Sequence, residues 1–220
     1  MNTTDLWDEI ATKGSDKGAI AERLIRKQAS IAGLIEGMKA KPGDVKFGCE
    51  KVLQEISAQC PALVYPYFQQ IVGFMEGGNK ILKWGAILIL ANLAAVDTEN
   101  HFASSFDRYY HLITGPDMIT AASVIAGSVK IVRAHPEWAE RIKKEILKVE
   151  KATYKTPECR NVAIGHALDA LMAFDDLVED KKSIRRFAQR QLNNTRKTVV
   201  VRAKKFLARG EAEQSAGDCR

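Results

Sequence analysis

The stretch Lys46-Phe47-Gly48-Cys49 begins a segment that recurs along the chain at a nearly constant spacing. The four later copies begin at Lys83, Thr120, Arg160 and Lys197, which gives successive offsets of 37, 37, 40 and 37 residues. Recurrence at a fixed period between about 20 and 50 residues is typical of proteins built from stacked repeats, in which each repeat packs against its neighbours. The sequence therefore predicts a repeat protein.

A short segment with turn and helix-start residues precedes each copy. These segments are Lys41-Pro42-Gly43-Asp44, Gly77-Gly78-Asn79, Thr114-Gly115-Pro116-Asp117, Lys155-Thr156-Pro157 and Asn193-Asn194-Thr195. Glycine and proline interrupt a preceding helix, and Asp, Asn and Thr side chains cap the first turn of the next one. A second helix is therefore predicted at each copy. The first helices are predicted at about 19–38, 61–75, 98–113, 136–151 and 181–193.

Apolar residues on the predicted second helices have the spacing of one buried helix face. The predicted buried stripes are Val45, Cys49, Val52, Leu53 and Ile56 in the first repeat, Leu82, Ala86, Ile89, Leu90 and Leu93 in the second, and Val200, Ala203 and Leu207 in the fifth. The helix of the second repeat is apolar almost all round. Trp84, Ile87, Leu88 and Ala91, opposite its stripe, are either buried between two layers, which we favour, or exposed as a groove for a partner's helix or peptide.

A capping Asp or Asn near the turn, followed by an apolar residue, a Lys or Arg and a small residue three positions further on, resembles the second helix of HEAT repeats. The matching runs are Asp44-Val45-Lys46-x-x-Cys49, Leu82-Lys83-x-x-Ala86 and Cys159-Arg160-x-x-Ala163. The resemblance implies an all-α, armadillo-like fold, a right-handed α-α superhelix of about five HEAT-like helical hairpins. The third repeat departs from the pattern, with Thr120 in place of the basic residue and Gly127 in the core column.

The repeats are expected to form one continuous solenoid over residues 19–209. The repeat units are placed at about 19–58, 61–95, 98–133, 136–174 and 181–209. Residues 1–18, which include Trp7 and Ile10, are expected to form an N-terminal capping segment. The small and polar residues 210–220 are expected to form a flexible tail.

Composition indicates neither a membrane span nor secretion. The longest apolar stretch, Trp84 to Ala91, is much shorter than the roughly 20 residues that cross a bilayer. The N-terminal residues lack the basic and then apolar pattern of a signal peptide. The four cysteines have no CxxC spacing and are expected to be reduced thiols. We expect a cytoplasmic protein without a cofactor or a structural metal.

Basic charge is concentrated in the last repeat. From Lys181 to Arg209 there are 11 Lys or Arg and no Asp or Glu, which leaves 22 basic and 27 acidic residues, a net charge of −5, in the rest of the chain. The segment is either the polar cap of the last repeat or a surface for an anionic partner. Pairing with the acidic run 175–180 would neutralise part of it. The candidate anion- or nucleic-acid-binding residues are Arg185, Arg186, Arg190, Arg196, Lys197, Arg202, Lys204 and Lys205.

A second charge pattern is the basic residue that recurs at one repeat position, as Lys46, Lys83, Arg160 and Lys197. In HEAT-like repeats such residues often form an intramolecular ladder with turn carboxylates, which is the interpretation we favour. Otherwise they project from the concave face of the second helices toward a partner. The candidate protein-binding residues on that face are Lys46, Lys83, Trp84 and Arg160.

No catalytic group of residues has a workable spacing. Cys159, His166 and Asp169 lie on one predicted helix, but seven residues place the thiol and the imidazole about 10 Å apart along the axis, against a contact of about 3 Å. His166 also falls in the core column of Val52 and Ile89, where we expect it to be buried.

The sequence therefore predicts a non-catalytic scaffold that binds a protein or peptide on the concave face of its second helices. The alternative is a nucleic-acid-binding protein that uses the basic last repeat. It includes a repair enzyme similar to the alkylpurine DNA glycosylases, a family built on HEAT-like repeats. That resemblance implies a search for damaged bases by Trp, Asp and Arg side chains, for which this chain has Trp84, Asp169 and the basic repeat, but no motif matches residue by residue.

Overall fold

Helices and short helical turns account for the regular secondary structure of the chain. The structure is a computed structural model that describes residues 2–28, 31–40 and 42–217, with side chains through residue 209. Within these ranges there is no β-strand. The chain divides into two compact units, Met1–Phe106 and Asp107–Arg220.

The first unit is organised around two long second helices. Its helices are α1 (Thr3–Ala11), α2 (Lys17–Arg26), α3 (Ala32–Lys39), α4 (Gly43–Gln59), α5 (Pro61–Val64), α6 (Phe68–Glu76) and α7 (Lys80–Leu93). Helices α4 and α7 pack against each other, α2 and α3 pack against α4, and α6 packs against α7. All the residues of the two predicted stripes on α4 and α7 are buried, so the sequence pattern identified the core of this unit correctly.

The first helices are more interrupted than predicted. The helix expected over 19–38 is divided into α2 and α3, because Gln28, with a φ of 45°, is in the left-handed region and ends the regular helix. In the second hairpin, Pro66 lies in a 3₁₀ turn, Tyr65–Tyr67, between α5 and α6. Proline has no backbone N–H to donate, so it favours such an interruption.

The N-terminal segment forms α1, which packs against α4. Leu6 and Ile10 are buried, and the indole Nε1 of Trp7 donates a hydrogen bond to the carbonyl oxygen of Gly33 over 2.8 Å. Ile10 lies so close to Gly48 that a side chain at position 48 would overlap it. Whether the segment caps the solenoid stays a prediction.

The second unit contains three second helices packed in chain order. After α8 (His101–His111), its helices are α9 (Met118–Ala134), α10 (Ala139–Leu147), α11 (Pro157–Phe174), α12 (Lys181–Arg190) and α13 (Lys197–Gly217). Helix α11 packs against both α9 and α13, and α12 packs against α13. The flexible tail expected over 210–220 stays a prediction, since the backbone of α13 continues to Gly217 and residues 218–220 lie outside the described part.

The core stripe of α13 differs from the predicted one. Val199, Ala203 and Phe206 are buried, whereas Val200 and Leu207 are partly exposed. Both sets fit the spacing of a helix face, so periodicity alone did not distinguish them. The face that carries the phenylalanine is the one that the fold buries.

A buried lysine joins α10 to α12. The Lys143 side chain is 2% exposed, and its Nζ lies 2.6 Å from Glu140 Oε2 and 3.3 Å from Asp180 Oδ2. The backbone N–H of Asp180 donates to Glu140 Oε1 over 3.0 Å, and Asp180 itself caps α12 by accepting from the N–H of Ser183. The network therefore holds the start of α12 against the preceding hairpin.

Two classes of feature are absent from the described ranges. None of their helices combines the length and the apolar character needed to cross a membrane. They also contain no group of three or more His, Cys, Asp or Glu side chains able to hold a metal ion.

Candidate binding surfaces

Three basic residues occupy the same position relative to the start of their second helices. Lys46, Lys83 and Arg160 are each the fourth residue after the N-cap of α4, α7 and α11. Residues at one cap distance project in the same direction from each helix. The basic residue that recurs in the sequence therefore also recurs at one helix position in the structure for these three residues.

The third and fifth repeats do not follow this register. In α9 the N-cap is Asp117, so the fourth residue is Ala121, and the sequence alignment to Thr120 was one residue out. Thr120 is buried and its hydroxyl bonds to Asp117. Helix α13 begins at Lys197 itself, so this lysine lies in the first turn and does not share the position.

The predicted ladder between these basic residues and turn carboxylates is wrong. Lys46, Lys83 and Arg160 are partly exposed, and none of their side chains has a hydrogen-bond or ion-pair partner among the described residues. The turn side chains serve the backbone instead: Asn79 accepts from two N–H groups of α7, and Thr156 accepts from the N–H of Cys159. These two turns therefore carry a capping amide and a capping hydroxyl, and neither supplies a carboxylate to the basic residue.

Each of the two lysines is followed by a partly exposed aromatic residue. Phe47 and Trp84 are both the fifth residue after the N-cap, on helices that pack against each other. Helix axes in contact lie about 8–10 Å apart, and equivalent cap positions place the two aromatic residues on the same side of their helices. Ile81, 44% exposed, and the partly exposed Leu88 extend the apolar surface along α7.

The residues opposite the core stripe of α7 were expected either to be buried between two layers or to form an exposed groove, and the structure shows two of each. Ile87 and Ala91 are buried, at 0% and 1% exposure, as the favoured interpretation predicted. Trp84 and Leu88 are partly exposed instead. The exposed apolar surface is therefore a narrow row, and half of the predicted groove lies in the core.

A buried carboxyl group lies beneath this face. Glu50 is 4% exposed, and its carboxylate lies directly against Gly85, so that a side chain at position 85 would overlap it. The Glu50 carboxylate has no hydrogen-bond partner within the described residues. Burial raises the pKa of the Glu50 carboxyl from an ordinary 4.5 to about 7, although Lys51 lowers it.

The equivalent position is apolar in the next three repeats. Glu50 is the eighth residue after its N-cap, and the eighth residues of α7, α9 and α11 are Ile87, Ile125 and Ile164. All three isoleucines are buried. A glutamate therefore stands at a core position that the repeat otherwise fills with isoleucine.

Four arginines of the last hairpin are ion-paired with carboxylates of the hairpin before it. The pairs are Arg190 with Glu150, Arg196 with Glu158, Arg202 with Asp169 and Arg209 with Asp175. Hydrogen bonds from its guanidinium to Glu150 raise the pKa of Arg190. These arginines connect neighbouring hairpins, and only one of their partners belongs to the acidic run 175–180.

Seven other basic residues of the last hairpin have no carboxylate partner in the described part of the chain. One of them, Lys181, directly follows the acidic pair Glu179 and Asp180. We call the other six the outer basic patch, which consists of Lys182, Arg185 and Arg186 on α12 and Lys197, Lys204 and Lys205 on α13. All six are exposed or partly exposed.

An open cavity of about 250 Å³ lies between α11 and α13. Its lining residues are Asp169, Met172, Ala173, Lys205 and Arg209. Arg202 Nε lies 2.9 Å from Asp169 Oδ2, and Arg209 Nη1 donates to the carbonyl oxygen of Met172 over 3.1 Å. Most of the polar groups around the cavity thus hold the two helices together.

The residues weighed for thiol chemistry are not brought together. Cys159 hydrogen-bonds to Thr156, and Asp169 is ion-paired with Arg202. His166 is exposed, so its predicted place in the core is wrong: on α11 the adjacent Ala167 is buried in its stead. Cys49, Cys60 and Cys159 are free thiols, and Cys219 lies outside the described residues.

Comparison with known proteins identifies the fold. No protein-family model and no curated protein matches the chain. A designed armadillo repeat protein matches with a TM-score of 0.56 at 15% identity, over 92% of this chain and 89% of that chain. The fold is an armadillo-like helical repeat. A second designed armadillo repeat protein, in complex with peptide (KR)4, has a TM-score of 0.57 at 13% identity, over 93% and 90% of the two chains.

The predicted HEAT-like, armadillo-like solenoid is thus confirmed. At this level of identity the likeness of the armadillo-like chain to the designed proteins shows the fold alone. Two elements of the candidate surfaces were missed from the sequence, the exposed Phe47 and the buried Glu50. The signal for both was present in the repeat alignment, which sets Phe47 against Trp84 and Glu50 against Ile87 and Ile164. Alignment by helix caps adds Ile125 of the third repeat.

Proposed function

We propose that the chain is a non-catalytic interaction scaffold that binds an acidic segment of a partner protein on the second helices of Met1–Phe106. One observation supports the proposal: α4 and α7 each present, side by side, a lysine without a carboxylate partner and a partly exposed aromatic ring. We call these four residues, Lys46, Phe47, Lys83 and Trp84, the aromatic-basic face.

The two kinds of residue contribute different parts of a binding site. Aromatic side chains bury a large area when a partner covers them, and tryptophan and tyrosine are enriched among the residues that dominate interface energies. Lysines that have no intramolecular partner attract carboxylates and orient the approaching segment. A partner segment with acidic residues around an apolar one complements both.

The designed protein in complex with (KR)4 provides a contrast in charge. Its peptide is basic, whereas the aromatic-basic face is itself basic at Lys46 and Lys83. A related fold that binds a peptide supports a peptide-binding role for the armadillo-like chain, and the sign of the charge favours an acidic peptide. Arg160, at the same cap distance on α11, is a further candidate contact in the second unit.

The test is selection from a random library of 12-residue peptides displayed on phage. We expect enrichment of peptides that combine Asp or Glu with an apolar residue, with affinities then measured by fluorescence anisotropy. Trp84→Ala is expected to weaken binding about thirtyfold, which corresponds to a hot-spot loss of about 2 kcal/mol. Lys83→Glu is expected to weaken it about tenfold, because it repels the acidic peptide.

Matched controls separate the face from general effects of charge or aromatic content. Lys144→Glu changes an exposed lysine of the second unit, and Trp138→Ala removes a partly exposed tryptophan there. Both controls should keep the wild-type affinity, and circular dichroism checks that every variant is folded. Enrichment of basic peptides, absence of enrichment, or an equal loss in the controls would contradict the proposal.

A further inference from the structure

We propose that the outer basic patch is a sequence-independent binding site for the phosphate backbone of a nucleic acid. The patch lies on α12 and α13, in the second unit, and shares no residue with the aromatic-basic face. The inference therefore goes beyond the proposed function, and its test does not depend on the outcome for the aromatic-basic face.

The first step is the division of the basic residues by their contacts. Of the 11 basic residues between Lys181 and Arg209, four arginines are ion-paired with the preceding hairpin. Their charge is already compensated within the protein. The six residues of the patch have no such partner in the described structure, so the acid-free segment leaves a local excess of positive charge.

The second step is the placement of these six residues. Helices α12 and α13 pack against each other and bury their apolar sides, which include Phe187 and Phe206. Lys197 and Lys205 are eight residues apart, about 12 Å along α13, and neighbouring axes are about 10 Å apart. The six charges therefore lie on exposed sides of two adjacent helices, within about 20 Å.

The third step is the choice of polyanion. Duplex DNA presents one negative charge per about 1.7 Å of axis, or about 12 charges over 20 Å. An extended acidic peptide, at about 3.3 Å per residue, presents at most about six over the same distance. Of these two partners, the duplex offers more charges than the patch, so that all six side chains can find a phosphate in many registers.

The apolar content of the patch supports the same choice. Both phenylalanines of the hairpin are buried, at 0% and 6% exposure, so the patch lacks an exposed aromatic anchor of the kind that dominates protein interfaces. The exposed apolar side chains of the hairpin are aliphatic: Val201 is 65% exposed, Leu192 is 38% exposed, and Val200 and Leu207 are partly exposed. Isolated apolar residues are ordinary on protein surfaces and do not indicate a protein partner.

The experiment measures the salt dependence of binding to a fluorescein-labelled 20-base-pair DNA duplex by anisotropy. We expect affinity to fall steeply from about 50 to 200 mM salt, with a slope of log K against log salt near −5 for about six phosphate contacts. In a Lys197→Gln, Lys204→Gln, Lys205→Gln variant the slope should lose about 3 in magnitude, about 1 per removed contact.

The matched control removes the same charge from the ion-paired set. An Arg190→Gln, Arg196→Gln, Arg202→Gln variant also loses three positive charges from the last hairpin, but at residues that contact carboxylates. Its slope should stay within about 1 of the wild-type slope, while its melting temperature falls. Melting curves of both variants establish that they are folded at the assay temperature.

Three results would overturn the inference. An equal change of slope in both variants would show that total charge, and not the patch, determines binding. Absence of duplex binding at 50 mM salt would exclude a phosphate site. Tighter binding to a 12-residue poly-glutamate peptide, or to vesicles with phosphatidylserine, than to the duplex would assign the patch to a different anionic partner.

Discussion

Replacement of the buried carboxyl group by an amide should change how stability depends on pH. In Glu50→Gln the side chain keeps its size and loses its proton equilibrium. Glu50 is 4% exposed and its carboxylate has no hydrogen bond within the described residues, so burial disfavours its charged form more than the nearby Lys51 favours it. As the pH rises, the variant should therefore become more stable than the wild type, and the difference between their free energies of unfolding should increase.

The sign and size follow from the two pKa values. The folded pKa, about 7, lies above the ordinary value of 4.5, so the folded protein binds the proton more tightly than the unfolded chain. The contribution of Glu50 is thus fully present below pH 4.5 and is lost as the pH rises through 7. The difference between about 7 and 4.5 corresponds to about 3 kcal/mol in the free energy of unfolding, which the wild type loses and the variant does not.

Thermal unfolding at pH 4.5 and pH 8 measures this difference. Glu50→Gln should unfold close to the wild type at pH 4.5 and about 6–12 °C above it at pH 8, for a chain of this size. Carboxylates whose pKa is lowered, such as Glu9 by its hydrogen bonds to Arg23, act in the opposite direction but equally in both proteins. Their effect cancels in the comparison.

The control is Glu55→Gln, an exposed glutamate on the same helix. Its unfolding should follow the wild-type pH dependence throughout. If Glu50→Gln behaves like this control, Glu50 is charged and hydrated in the folded protein at neutral pH, and the reasoning from burial is refuted.

Two further substitutions test the packing of the helices. Gly85→Ala should destabilise the protein by about 1–3 kcal/mol, because the added methyl group overlaps the Glu50 carboxylate, and it should cost less in a Glu50→Ala background, as a double-mutant cycle by urea unfolding would show. Equal costs in both backgrounds would contradict the contact. Lys143→Ala should destabilise the protein by about 1–3 kcal/mol, because it removes a buried side chain and its hydrogen bond to Glu140. An unchanged free energy of unfolding in the same assay would show that this buried lysine does not stabilise the contact between α10 and α12.

The core of the first unit was predictable from sequence because its residues are both periodic and apolar. In α4 and α7 every position of the stripe carries an apolar residue that is stabilised by burial, so the pattern predicted a single buried face. In α13 two overlapping stripes satisfied the same spacing. Which one is buried depends on the surface of α11 that receives it, and a repeat period does not contain that information.

The candidate surfaces were less predictable, since they depend on which charges neutralise each other. The sequence placed Lys46, Lys83 and Arg160 in one register but assigned their side chains to turn carboxylates, with which they form no ion pair in the described structure. In the last hairpin it grouped Arg190 with Lys197, although one is ion-paired and the other is not. Pairing across hairpins depends on side-chain geometry at the contact between repeats.

On α13 the residue types follow this division, whereas α12 carries Arg185 and Arg186 in the outer basic patch. All four ion-paired residues are arginines, and Arg190 binds Glu150 through both Nε and Nη2, a two-point contact that a lysine does not make. On α13 the outer basic patch consists of lysines alone, and a lysine acts as a flexible point charge. Arginine thus occurs where one hairpin meets another, and lysine where α13 faces solvent. Lys46 and Lys83 on the first unit also have side chains without an ion-pair partner among the residues that the structure describes, as do Lys13 and Lys27. What distinguishes Lys46 and Lys83 is the partly exposed aromatic residue that follows each of them, so in both proposed surfaces unpaired charge is combined with a second feature of the fold.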